Sequence, residues 1–232
     1  MTLLGRILKN RRAGETHAAW NLPHLQGAES LTLTSRNFGD GDSLPLEHCL
    51  RNIGGDNLSP HLAWTPPPAG TAQLLLVMED IDVPIAKPAV HCVALIDPAV
   101  RELEPGALDA RQPAAGVQVL RSSIGRGYHG PGPIKGHGPH HYIFQLFALA
   151  TRVESTPDTA RPNRARPRAL LPAITAPVLA RGRVDGRRLT QWAQALARRA
   201  GGEAVAARAA QVVACRPWPP PGRGRRPRAL TW

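Results

Sequence analysis

The stretch Gly127-Tyr128-His129-Gly130-Pro131-Gly132-Pro133-Ile134-Lys135-Gly136-His137-Gly138-Pro139-His140-His141-Tyr142, which runs on into Ile143-Phe144-Gln145-Leu146-Phe147-Ala148-Leu149, decides how the chain reads. Five of its first sixteen residues are Gly and three are Pro. That composition excludes a helix, because Gly raises the entropic cost of ordering and Pro removes a donor. A loop so rigid and so rich in rings is more than a connector. It ends abruptly in a strand, where His140 and Tyr142, two positions apart, share a face. The loop thus delivers an imidazole and a phenol side by side, next to backbone amides freed by glycine. Such turns can aim several N–H groups at one anion. A tight crossover with merely exposed histidines fits the same residues.

Upstream, Gln73 to Met78 is an apolar run that reads as a central strand, closed by Glu79-Asp80-Ile81-Asp82-Val83-Pro84. Alternation puts Asp80 and Asp82 on one face, as a pocket wall or an acid/base pair, or as a solvated turn. A metal site needs more oxygen ligands than this stretch offers. His91-Cys92-Val93-Ala94-Leu95-Ile96 is a strand led by a histidine, with Cys92 expected on the opposite face from His91. Further upstream, Ser30 to Ser35 alternates as a half-buried strand and His61 to Trp64 is a short one. Asn37 to Ser43 and Asp56 to Pro60 are turns, and Pro66-Pro67-Pro68 cannot pair in a sheet. Residues 98–120, interrupted by Pro98, Pro105, Gly106, Pro113 and Gly116, read as one irregular connection that covers or shapes a site.

The totals agree with a loop-rich β architecture: of 232 residues 22 are Gly, 24 are Pro and only 4% are aromatic. The net charge of +12 is unevenly placed, with 12 basic and 13 acidic residues in 1–150 and 17 Arg against 4 acids in 151–232. Nucleic-acid binding could therefore involve only the C-terminal third. Arginine without interleaved aromatics gives no more than salt-sensitive, unspecific affinity. Cys49, Cys92 and Cys215 lack both disulfide and zinc spacing and suit a reducing cytoplasm. No apolar run is long enough to span a membrane, and the N-terminus does not read as a secretory signal.

Residues 1–24 read as an amphipathic leader anchored by Trp20 and Leu22. It packs on its own domain or on a partner chain, and could do so across the two-fold axis of a homodimer, or lies on a membrane surface. Residues 25–188 form the main domain. Within it 151–172 shows almost no periodicity, and 173–186 suggests a last helix turn and a strand. Residues 189–232 are an Arg/Ala/Pro-rich extension, helical over Thr190 to Ala214 and disordered from Arg216 on.

Four segments in register resemble the phosphatidylethanolamine-binding proteins, also called Raf kinase inhibitor proteins, in their bacterial branch. Asp80-Ile81-Asp82-Val83-Pro84 resembles that family's Asp-Pro-Asp-Ala-Pro, and Gly127 to Gly136 its Gly-Tyr-x-Gly-Pro-x-Pro-Pro-x-Gly. His140-His141-Tyr142 is similar to its His-Arg-Tyr, and Asn57 to Trp64 to its Asn-x-Ser-Pro-x-Leu-x-Trp. Ala180 to Gly186 is similar to its last strand. The chain departs from the pattern at Ile81, Val83, Ile134, His141 and Cys92, and beyond Gly186 it reads Arg187-Arg188-Leu189. The resemblance implies a mostly β fold, an antiparallel Greek-key β-sandwich with a few peripheral helices. It also implies a small pocket for phosphate or a phosphoethanolamine-like head group at Asp80, His91, Gly132, Pro133, His140 and Tyr142, with Tyr128 nearby. The expected role is binding and regulation, with a kinase or protease as protein partner and no cofactor or metal. An enzyme is disfavoured because no nucleophile sits beside a base.

Overall fold

The computed structural model describes residues 7–8, 10–134, 137–153 and 162–188. Its strands are β1 (Leu33–Thr34), β2 (Asp42–Ser43), β3 (Leu62–Trp64), β4 (Gln73–Asp80), β5 (Ala89–Ile96), β6 (Glu102–Leu103), β7 (Val117–Val119), β8 (His140–Leu149) and β9 (Val178–Arg188). All eight residues of β4 are buried, and nine of the ten in β8. Strands apolar on both faces need cover on both. The six-stranded sheet β2-β9-β8-β4-β5-β7 has it: the three-stranded sheet β1-β3-β6 lies over one face. Between the sheets Leu33, Leu62, Trp64 and Leu103 pack with Leu74, Leu76, Met78, Phe144 and Leu146. On the other face Leu75, Val77, Val93, Leu95 and Phe147 meet Ala19, Leu25, Leu170 and Leu171, the last two from the helix Pro167–Ala173. Each Leu, Val, Met or Phe side chain among these, once buried, contributes about 1.5–3 kcal/mol.

The order β8-β4-β5-β7, with β8 returning beside β4, is compatible with the Greek-key expectation. The sheet is mixed rather than purely antiparallel, because β2 runs parallel to β9. Residues 98–120 are not wholly irregular, since β6 and β7 form there where the chain crosses between the two sheets. The Pro-rich 151–172 region holds most of a helix that starts on Pro167, where a missing N–H costs nothing. One continuous strand of eleven residues, β9, replaces the expected helix turn and strand. Its glycines mark close passages, not turns. A Cβ on Gly182 would lie 2.1 Å from the Leu31 carbonyl oxygen, and one on Gly186 2.7 Å from Leu44 Cγ. The readings made for Thr190 to Ala214 and for 216–232 lie outside the described residues.

Buried polar bonds fasten the N-terminal segment to the far face of the sheet. The Glu79 carboxylate, fully buried, accepts from Ala19 N (2.7 Å), Gln145 Nε2 (2.9 Å) and Arg168 Nη2 (2.7 Å). Burial raises its pKa, opposed by Arg168, Gln145 and the Ala19 amide. Gln145 Oε1 accepts from Trp20 N at 2.6 Å, and the Arg181 guanidinium lies 4.0 Å above the Trp20 ring. Trp20 and Leu22 are both partly buried against the core.

Candidate functional site

Two adjacent strands set the site. In the β4–β8 register Asp80 pairs with Tyr142 and His140 opens β8, so the end of one strand faces the start of the next. The third contributor, His91, arrives through an irregularity in β5. Met78 pairs with Cys92 but Glu79 with Val90, which leaves His91 as an extra residue in a β-bulge. A bulge resets alternation. Cys92 packs in the core between the sheets, and His91 meets Tyr142 of that same core edge-on at 5.3 Å. The expectation that His91 and Cys92 point to opposite faces fails for this reason. Their closeness makes no nucleophile, since burial pushes the Cys92 thiol up to about 12.

A hydrogen-bonded row runs through the site. His140 Nδ1 lies 2.7 Å from Asp80 Oδ2, and His140 Nε2 lies 2.9 Å from His137 Nδ1. His137 Nε2 lies 3.0 Å from the Arg11 carbonyl oxygen. A carboxylate at one end and a carbonyl at the other are both acceptors. The two imidazoles are thereby held in line across the site. His91 is different: burial holds its pKa down against the Asp80 charge and its bond to His129. As a neutral ring it donates Nδ1–H to the His129 carbonyl (2.7 Å), leaving Nε2 as the lone-pair nitrogen.

The Tyr142 ring is fully buried, and its hydroxyl has no protein partner at hydrogen-bond geometry. Burial, then the charge of Asp80 and a loose hydroxyl contact to its carboxylate, hold this phenol well above its usual pKa, partly offset by the Gly132 amide. It is a protonated donor waiting beside a backbone amide. The glycine loop is fixed from behind. Asn57, at φ 58°, gives Nδ2–H to the Tyr128 carbonyl and accepts from Gly130 N at 2.8 Å. A Cβ on Gly130 would fall 2.0 Å from the His48 carbonyl oxygen, so the loop can pass there only as glycine. Gly132 is partly open and Pro133 is buried. Tyr128 lines the loop but donates its hydroxyl to the His48 carbonyl (2.8 Å), which makes it a brace rather than a ligand contact.

Asp82 does not share the face of Asp80. β4 ends at Asp80, whose Oδ1 accepts from Asp82 N, and alternation stops there. Asp82 turns instead to His141, which lies 2.6 Å away through Nδ1, and to Arg12. The segment Arg11 to Gly14 crosses the site as a strap. Ala13 N donates to Val83 O (2.9 Å), Gly14 N to Ile81 O (2.8 Å) and Arg12 Nη1 to the Pro139 carbonyl (3.2 Å). The strap and His137 were not legible in the motifs. Only the spacing of His137 three residues before His140 hints at a second imidazole.

The bond to Asp82 raises the His141 pKa, against burial. Burial works against ionisation of Asp82 too, but the bond and charge of His141, with Arg12, outweigh it and hold this carboxyl low. The His141 contribution to stability is complete below its unfolded value of about 6.5 and fades as pH rises through the higher folded value. The Asp82 contribution is present above its unfolded value of about 3.9 and is lost as pH falls through the lower folded value. The pair therefore stabilises the fold between the two folded values. In an NMR titration His141 should have a midpoint above about 6.5, which Asp82→Asn moves down. An unmoved midpoint would break the assigned pairing.

The profile of the phosphatidylethanolamine-binding protein family matches residues 34–188. LppC of Mycobacterium tuberculosis, whose name includes the word lipoprotein, is 36% identical over 133 residues, covering 56% of this chain. This chain spans 61% of LppC's length, less than two thirds. The UPF0098 protein YbhB of Escherichia coli is 38% identical over 124 residues, covering 51% of this chain and 78% of YbhB. The crystal structure of Escherichia coli YbcL superposes with a TM-score of 0.58 at 26% identity, covering 68% of this chain and 97% of YbcL. With β4, β5 and β8 bringing the matching segments to one place, the chain belongs to the phosphatidylethanolamine-binding protein family.

Proposed function

We propose that this chain is a binding and regulatory protein that takes a small phosphate-bearing anion, of phosphoethanolamine type, between Asp80, His91, Gly132, Pro133, His140 and Tyr142. One observation carries the reading: the buried Tyr142 hydroxyl has no partner at hydrogen-bond geometry beside the Asp80–His140 pair. A buried donor whose contact to Asp80 falls short of hydrogen-bond geometry would gain from an anionic oxygen placed in line with it. Asp80 would accept from a ligand amine. Catalysis is disfavoured, because both ring nitrogens of His140 are engaged and the one thiol beside His91 is held protonated. A kinase or protease partner and a cytoplasmic location rest on the family resemblance and on the cysteine pattern. Among the described residues no helix is long and apolar enough to cross a membrane.

The test is calorimetric titration of phosphoethanolamine into wild type and Tyr142→Phe. Losing a hydroxyl that donates to a charged ligand costs about 1.5–3 kcal/mol, so affinity should fall by tenfold or more while the fold is kept. Equal affinity in the two proteins would remove the hydroxyl from the site.

A further inference from the structure

Tyr128 and His129 also line a second cavity, of about 560 Å³, whose lining includes none of Asp80, His91, His140 or Tyr142. Its lining includes three arginines, Arg51, Arg111 and Arg126, together with Asn52. Among the described residues none of the three has a carboxylate within ion-pair distance, whereas Arg12, Arg36, Arg168, Arg181 and Arg183 each have one. Arg51 is held through Nε by the Asp56 carbonyl (3.3 Å). Arg126 is held by the Val119 and Asn163 carbonyls at 3.2 and 2.7 Å. These neutral acceptors fix the side chains without cancelling their charge. The single carboxylate of the lining, Asp109, accepts from the backbone N–H groups of Arg111 (2.7 Å) and Gln112 (2.9 Å). The cavity wall is thus left with an excess of two positive charges.

We propose that this cavity binds a diphosphate group. A dianion to trianion matches the charge excess, and planar guanidinium forks pair with phosphate oxygens two at a time. The volume falls in the range of small-ligand sites and exceeds the need of a single phosphate. Of the two rings in the lining, Tyr128 is buried with its hydroxyl bonded to the His48 carbonyl and His129 is half-buried, so neither offers an open platform on which a base could stack. Recognition is therefore of the diphosphate, whether free or carried by a nucleotide. His129 ties the cavity to the histidine site: the residue lines the cavity and its carbonyl receives the His91 Nδ1–H. An occupant is thereby felt at His91.

The experiment titrates inorganic pyrophosphate and, separately, ADP into the full chain, with wild type, Arg51→Ala, Arg111→Ala, Arg111→Lys and Tyr142→Phe. Pyrophosphate affinity should drop at least tenfold in each alanine variant and by several-fold in Arg111→Lys, and should be unchanged in Tyr142→Phe. Phosphoethanolamine should show the converse pattern, so the two sites fail separately. ADP equal to pyrophosphate supports a nucleotide as the source of the group, and ADP tenfold weaker supports the free ion. Three outcomes overturn the proposal: no pyrophosphate binding to folded protein, loss confined to Tyr142→Phe, or Arg111→Lys equal to wild type, which would reduce the effect to diffuse charge. An unchanged His91 ring signal on saturation with pyrophosphate would overturn the link through His129.

Discussion

Replacing Arg168 with Ala should lower the unfolding free energy by about 3–5 kcal/mol, because it leaves a buried carboxylate without its cation. Glu79 has no exposed surface, and Arg168 is its only cationic partner among the described residues. The same guanidinium also bonds the His17 and Pro88 carbonyls, so three segments loosen together. Burial already raises the Glu79 pKa in the intact protein. A raised folded value means stability declines as pH climbs from the unfolded value of about 4.3 through the folded one. Without Arg168 the folded value rises further and the decline reaches to higher pH, so urea titrations should show a larger deficit at pH 7 than at pH 5. Adding Glu79→Gln should recover most of the loss. A deficit below about 1 kcal/mol at pH 7 would mean that the carboxylate is solvated when the arginine is gone.

The second large effect separates two histidines that touch. His140→Ala should weaken phosphoethanolamine binding by about thirtyfold or more, the cost of about 2 kcal/mol or above for losing a partner of a buried charge. His137→Ala should do the opposite. His137 Nδ1 already holds His140 Nε2, the nitrogen that an anion needs, so a ligand must first displace it. Removing a competing bond worth about 1 kcal/mol should tighten binding about fivefold. Calorimetry on both variants checks the pair. If His137→Ala weakens binding as much as His140→Ala, His137 is a ligand contact and not the resident occupant of the site.

Much of this was legible in the sequence, for identifiable reasons. β4 and β8 are read from apolar runs, because strands covered on both faces need no alternation. Asp80, His140 and Tyr142 are found because a strand end and a strand start pair in simple register. The misses come from contacts between distant segments. The bulge at His91 depends on how β5 pairs with β4, and two residues in sequence cannot reveal which one is extra. Asp82 was misassigned because alternation was extended past the end of the strand. The closeness of Gly182 to Leu31, and of Gly186 to Leu44, turns apparent turn signals into close crossings within one continuous strand. Arg11 lies 126 residues from the His137 ring it caps, a separation at which local pattern carries no information.

That strap has a consequence for how a ligand is found. A site whose resting occupants are its own residues fills no faster than they part, whatever the concentration of the incoming molecule. Observed association would level off at the opening rate while equilibrium continued to follow affinity. Screens that count encounters over seconds would then report an inert protein, and long incubation at equilibrium would report a selective one. For this chain, patience in the assay matters as much as the choice of compound.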